Sequence, residues 1–202
     1  MKKVKVFVAV MIAVTSMLFG VPQLQTQAAS KPLKVKATTK INNVAKIPKV
    51  KANKTYQVNI AKADSCLQFK APSTGTYVFN FSKLKSSQYS LIMGKKYEEP
   101  VLMDIYLCYY DNDKKGYYIY RDTITKNTSD SEYGTNQKGC IQFWNLAAYK
   151  EYHAAGMMKT NITKNYGKID LKKNQTVYIY HIGEDLNYGG PFSYSLKISK
   201  KK

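Results

Sequence analysis

Arginine is almost missing from this chain: of its 32 basic residues only Arg121 is an arginine. Arg supplies the planar, bidentate contacts favoured in nucleic-acid and phosphate recognition, whereas Lys acts as a hydrated point charge. No specific nucleic-acid partner is therefore expected. Histidine is nearly as scarce, and with only His153 and His181 a histidine-rich metal site is excluded. The three cysteines, Cys66, Cys108 and Cys140, are odd in number and widely spaced. They fit neither a dense disulfide framework nor the CxxC pairs of a zinc site. One disulfide with one free thiol and three reduced thiols both stay open. GxSxG, HExxH, Walker and dinucleotide-binding motifs are all absent, and no cofactor is expected.

A membrane-spanning run is missing as well. The longest apolar stretch, Val6 to Gly20, falls short of the roughly 20 residues that cross a hydrocarbon core as a helix. It follows Lys2, Lys3 and Lys5 and gives way to Pro22, the glutamines and Ala28-Ala29. A positive start, short apolar centre and small-residue exit make residues 1–29 a secretory signal peptide, cleaved after Ala28 or Ala29. No cysteine follows the run and no LPxTG-type motif or apolar tail closes the sequence. The expectation is a secreted protein of a Gram-positive type of bacterium, extracellular or wall-associated, with no transmembrane segment in the mature chain.

What is abundant is lysine and tyrosine. Acids number 13 and the formal charge is +19; removing residues 1–29 takes away three lysines and no acid, leaving +16. The basicity belongs to the mature chain, and such surfaces collect polyanions by salt-sensitive attraction. Outside such a cell these are wall teichoic acids, acidic polysaccharides or host glycans, although the lysines can equally serve solubility alone. Residues 30–54 carry eight lysines, two prolines, no acid and no aromatic. That composition reads as a flexible or extended lysine-rich linker or arm.

From Thr55 onward short alternating segments are separated by Gly, Asn, Asp and Ser, the mark of strands joined by turns. Candidates are Thr55–Ile60, Ser65–Lys70, Gly75–Ser82, Asp104–Tyr110, Gly116–Arg121, Gly139–Trp144, Asn161–Ile169, Thr176–Ile182 and Phe192–Ser199. Leu67/Phe69, Tyr77/Phe79/Phe81, Ile105/Leu107/Tyr109 and Leu196/Ile198 recur at period two, so each strand has a core face and a polar face. The fold class predicted is all-β: a two-sheet antiparallel β-sandwich, jelly-roll-like, over residues 55–202. One short helix is expected after Asn145 as N-cap, stopped at Gly156, with Leu146, Tyr149 and His153 on its packed face.

Three segments in order carry a family likeness. Leu67-Gln-Phe-Lys-Ala-Pro-Ser-Thr-Gly-Thr-Tyr-Val-Phe-Asn-Phe resembles the F-x-A-P-x-x-G-x-Y-x-F opening of the bacterial pre-peptidase C-terminal (PPC) domains. Asp104-Ile-Tyr-Leu-Cys-Tyr-Tyr-Asp-Asn-Asp-Lys-Lys-Gly is similar to their D-x-Y-L-Y-D-x-x-G hairpin. Leu171 to Tyr180 and Phe192 to Ile198 are similar to their last two strands. The likeness spans about residues 55 to 199, and much of it records turn chemistry. It implies a non-catalytic accessory sandwich of secreted or surface proteins, used in adhesion or in carbohydrate and protein binding, with calcium bound in some relatives. A surface protein is thus a further candidate partner. Unlike the usual arrangement, no peptidase precedes the sandwich in these residues.

Two constellations carry possible chemistry. A secreted thiol hydrolase would pair Cys140, in Gln137-Lys-Gly-Cys-Ile-Gln-Phe-Trp144, with His181 as base, Asn187 orienting the imidazole and Gln137 as oxyanion donor. Asp111, Asn112 and Asp113, with Asp104 upstream, offer hard oxygen donors to calcium, although Asx-rich hairpin turns form without an ion. The favoured surface is a tyrosine stripe. If Ile105, Leu107 and Ile119 face the core, alternation puts Tyr106, Tyr110, Tyr118 and Tyr120 together on the opposite face. Aromatics beside lysines can stack on sugar rings while ammonium groups meet anionic substituents. The leading expectation is a secreted, non-catalytic module binding anionic cell-wall polymers or glycans through those four tyrosines. The alternatives are the Cys140–His181 hydrolase and a secreted structural or protein-interaction factor.

Overall fold

The computed structural model describes residues 31–62, 64–125, 139–157, 163–181 and 191–201. The signal-peptide segment, Gln137 and Asn187 lie outside the described residues. The chain from Lys31 onward forms one compact unit.

Its strands in chain order are β1 (Leu33–Lys36), β2 (Lys49–Val50), β3 (Thr55–Ile60), β4 (Ser65–Lys70), β5 (Gly75–Ser86), β6 (Tyr89–Ile92) and β7 (Lys95–Glu98). There follow β8 (Leu102–Asp111), β9 (Gly116–Ile119), β10 (Ile124–Thr125), β11 (Cys140–Trp144), β12 (Lys164–Leu171), β13 (Thr176–His181) and β14 (Phe192–Lys200). The first sheet runs β1-β3-β14-β5-β12-β10. The second runs β11-β8-β13-β4-β2, with β9 also on β8, and β6-β7 form a separate hairpin. This is the expected all-β sandwich, antiparallel except where β1 joins β3 and β2 joins β4 in parallel.

Alternation decides what lies between the sheets. Tyr77, Phe79 and Phe81 of β5 and Tyr194, Leu196 and Ile198 of β14 meet Leu67 and Phe69 of β4, Ile105 and Leu107 of β8, and Val177 and Ile179 of β13 in one buried cluster. Gly167 on β12 shows how closely the sheets approach: a Cβ there would stand 2.5 Å from Ile141 Cδ1 of the opposite sheet. β5 carries the bend, because Lys83 sits at φ 56° and inward positions change from odd (Phe81) to even (Leu84, Ser86).

The segment expected to be a linker or arm is built into the sandwich. β1 and β2 edge the two sheets, and between them the chain crosses the outer face of the second. Thr38 and Cys66 exchange both backbone hydrogen bonds. Gln68 Nε2 donates to the carbonyls of Ile47 (2.6 Å) and Val44 (3.3 Å), and Tyr117 Oη donates to that of Ile41 (2.6 Å). Ile41, Val44 and Ile47 pack there on Cys66, Tyr106, Cys108, Cys140 and Tyr178, making a second, smaller core. The lysine count hid this, whereas the apolar series Ile41, Val44, Ile47, Val50, one residue in three, is the signal that marks a segment laid along a face.

The helix α1, Leu146–Ala154, begins at Asn145 as expected. Its packed face differs. Ala148 is buried, and Tyr149 and Tyr152 lie against Trp144, while Leu146 is exposed.

Candidate binding groove

The register of the β8–β9 hairpin places its tyrosines. Cys108 pairs with Ile119, Tyr109 with Tyr118 and Tyr110 with Tyr117, and the amide of Tyr120 donates to the carbonyl of Leu107 (2.9 Å). Ile119 therefore shares the outer face with Cys108 rather than the core face with Leu107, and the expected four-tyrosine stripe divides. Tyr106 and Tyr110 point outward into the smaller core, where Tyr106 is only 6% exposed and Tyr110 is half-buried against Tyr117. Tyr118 and Tyr120 lie on the other side with Tyr109.

That second group forms an open groove. On β8 the inward series Met103, Ile105, Leu107 is buried, but the next member, Tyr109, is exposed. Tyr109 stacks on Tyr118 (centroids 5.8 Å, planes 28° apart) and meets Tyr120 at 5.2 Å. These rings, with Arg121 and Asp122, line a surface groove of about 580 Å³. Lys114 Nζ lies 5.3 Å from the Tyr118 ring centre. Tyr120 is the fixed member: its hydroxyl donates to the Thr176 carbonyl (3.2 Å) and accepts from Gln175 Nε2 (3.0 Å). Burial of its ring raises the phenol pKa. The groove thus presents two stacked, accessible rings on an anchored third, with cationic and anionic groups beside them. Sequence reasoning missed Tyr109 by assigning it to the core with Leu107.

The Cys140–His181 pair is not formed. Cys140 and Tyr180 both stand opposite Tyr106, and His181 opposite Ile105, so the cysteine and histidine project from opposite faces of the second sheet. His181 is fully buried: Nδ1 lies 2.9 Å from the Ser65 carbonyl and Nε2 2.8 Å from Tyr194 Oη. Those partners fit a neutral ring that donates from Nδ1 and accepts at Nε2. Burial lowers its pKa to about 4, partly offset by the bond to Ser65. All three cysteines are buried and outside any disulfide. Burial pushes the Cys108 thiol up to about 12 and Cys66 higher still, the reverse of what a nucleophilic thiolate needs.

The Asp111–Asp113 turn is occupied by its own backbone. Asp111 Oδ1 accepts from the amides of Asp113 (2.9 Å) and Lys114 (3.1 Å), an Asx turn. Asp104 stands at the other end of β8, and no group of three acidic, cysteine or histidine ligands gathers among the described residues. No described helix is long and apolar enough to cross a membrane. No protein-family model matches the chain, and no curated protein matches it.

Proposed function

We propose that the chain is a secreted, non-catalytic binding module that associates with anionic cell-wall polymers or glycans of a Gram-positive type of bacterium. The contact surface is the groove of Tyr109, Tyr118 and Tyr120, with Lys114 and Arg121 meeting anionic substituents. The observation that carries this reading is the stacked Tyr109–Tyr118 pair, with Tyr109 exposed where the inward series of β8 leaves the core. Aromatic faces accept the C–H side of a sugar ring by the same dispersion and quadrupole terms that stack them on one another. The likeness to PPC domains agrees with such a role, as does the export signal read in residues 1–29.

The test is retention of the exported chain, beginning at Ser30, on isolated cell walls and on immobilised anionic glycans across a salt series. Retention should fall steadily as salt rises, because lysine attraction is screened over a Debye length of about 8 Å at physiological ionic strength. A component resistant to salt should remain and depend on the groove. No retention at low salt on either support would remove the proposal.

A further inference from the structure

The β6–β7 hairpin leaves the sandwich after β5 and returns before β8, pairing only with itself. Leu91 and Ile92 end its first strand and Met93 opens the turn, and all three are exposed, by 76%, 54% and 99%. A soluble domain places charged or turn-forming residues at such a tip; three adjacent large apolar side chains there require a reason. Chemistry changes in order along the hairpin. Lys95 and Lys96 stand level with Ile92 and Leu91, their partners across the hairpin, beneath Met93 at the tip. Then come the exposed rings of Tyr89 and Tyr97, with Lys96 Nζ 4.0 Å above the Tyr89 ring.

At the base a second groove, of about 350 Å³, brings Lys36, Lys85, Ser86, Ser87 and Tyr89 together. Glu98 is engaged beside this groove: its Oε1 accepts from the Ser86 amide (2.9 Å) and from Asn145 Nδ2 (3.3 Å). Glu99 follows it where the chain returns to the sandwich.

We infer that this hairpin is a membrane-surface anchor, whose tip enters the acyl boundary of an anionic phospholipid bilayer while Lys95, Lys96, Lys36 and Lys85 meet the phosphates. An apolar tip flanked by lysines, with tyrosines behind it, suits the boundary of acyl chains and headgroups: the stems of Lys95 and Lys96 lie along the apolar residues while their ammonium groups reach the phosphates. A four-residue strand is roughly 13 Å long, so the basal groove lies at headgroup depth when the tip is immersed. Charge complementarity selects anionic lipid over a neutral bilayer or a second, equally basic copy of this chain. This inference is independent of the tyrosine groove.

The test uses the exported chain carrying Met93→Trp, with vesicles of phosphatidylcholine mixed with phosphatidylglycerol and vesicles of pure phosphatidylcholine. The native Trp144 is buried and gives a constant background. Addition of the mixed vesicles should shift Met93→Trp emission to the blue. Pure phosphatidylcholine should give little shift, and Leu91→Asp/Met93→Asp should sediment with mixed vesicles at least roughly tenfold more weakly than the native chain. These tip residues are exposed, so the variants should fold, and Tyr109→Ala should bind vesicles normally. Equal sedimentation of the double variant, or an unshifted tryptophan on bound protein, would overturn the anchor. So would a concentration-dependent dimer abolished by the same substitutions in a chain that ignores vesicles.

Discussion

His181 illustrates how a residue read as a candidate base serves the core instead. Its ring is closed between the Ser65 carbonyl and Tyr194 Oη and held neutral, with a pKa of about 4 against 6.5 in the unfolded chain. A depressed folded-state pKa means that the unfolded chain binds the proton first. The stability tied to the neutral ring is complete above pH 6.5, falls as pH drops from 6.5 towards 4, and levels below that. At about 1.4 kcal/mol per pH unit the loss is about 3 kcal/mol. Urea midpoints measured over this range should show that slope. His181→Gln, which cannot gain the charge, should flatten it while lowering stability at pH 7. Tyr120 likewise belongs to the fold as much as to the groove: with its hydroxyl bonded twice, replacement by alanine should perturb the hairpin and report on folding, whereas Tyr109 and Tyr118 report on contact.

At the scale of elements, all nine strands expected from alternation are present within a few residues, and the helix starts at its expected cap. Both signals are local: period two with one buried face, and an Asn before an apolar run. Asn145 does more than a cap alone. Its Oδ1 accepts from the amides of Ala148 and Val101, and its Nδ2 donates to the Glu99 carbonyl, tying the helix to the segment that leads into β8. Loss of a cap costs about 0.5–2 kcal/mol, and Asn145→Ala should lie at or above the top of that range in a thermal or urea melt, while Asn145→Asp retains the accepting half.

The groove was less legible because it depends on register. The loop Asn112 to Lys115 has an even count, which puts residues of opposite parity on the same face; assuming that Leu107 and Ile119 share a face requires an odd one. One residue of register therefore exchanges Tyr118 and Tyr120 for Tyr117 and Ile119. The short strands β1, β2, β6, β7 and β10 were missed because each is two to four residues long and takes its stability from the neighbour it pairs with.

For the molecule as a whole, the N-terminal crossing joins the two sheets and converts one sandwich face from a wet surface into a second core. A flexible tether would tolerate substitution at Ile47, but Ile47 is buried between the crossing and the second sheet, with its carbonyl bonded to Gln68. Ile47→Ala should cost roughly 2–4 kcal/mol, and hydrogen exchange should show the amides of Thr38 and Cys66 opening together. Several lysines of the segment, among them Lys34, Lys36, Lys40 and Lys46, remain exposed on its outside, so its docking keeps the surface charge on which the proposed association with polyanions rests.

The most direct test of the binding account is the affinity of Tyr109→Ala/Tyr118→Ala for isolated wall polymer or its soluble anionic fragments, measured by titration at a salt concentration where lysine attraction is largely screened. The account predicts an affinity roughly tenfold or more below that of the native chain, with circular dichroism and melting temperature nearly unchanged. Equal affinity of a folded double variant would contradict it.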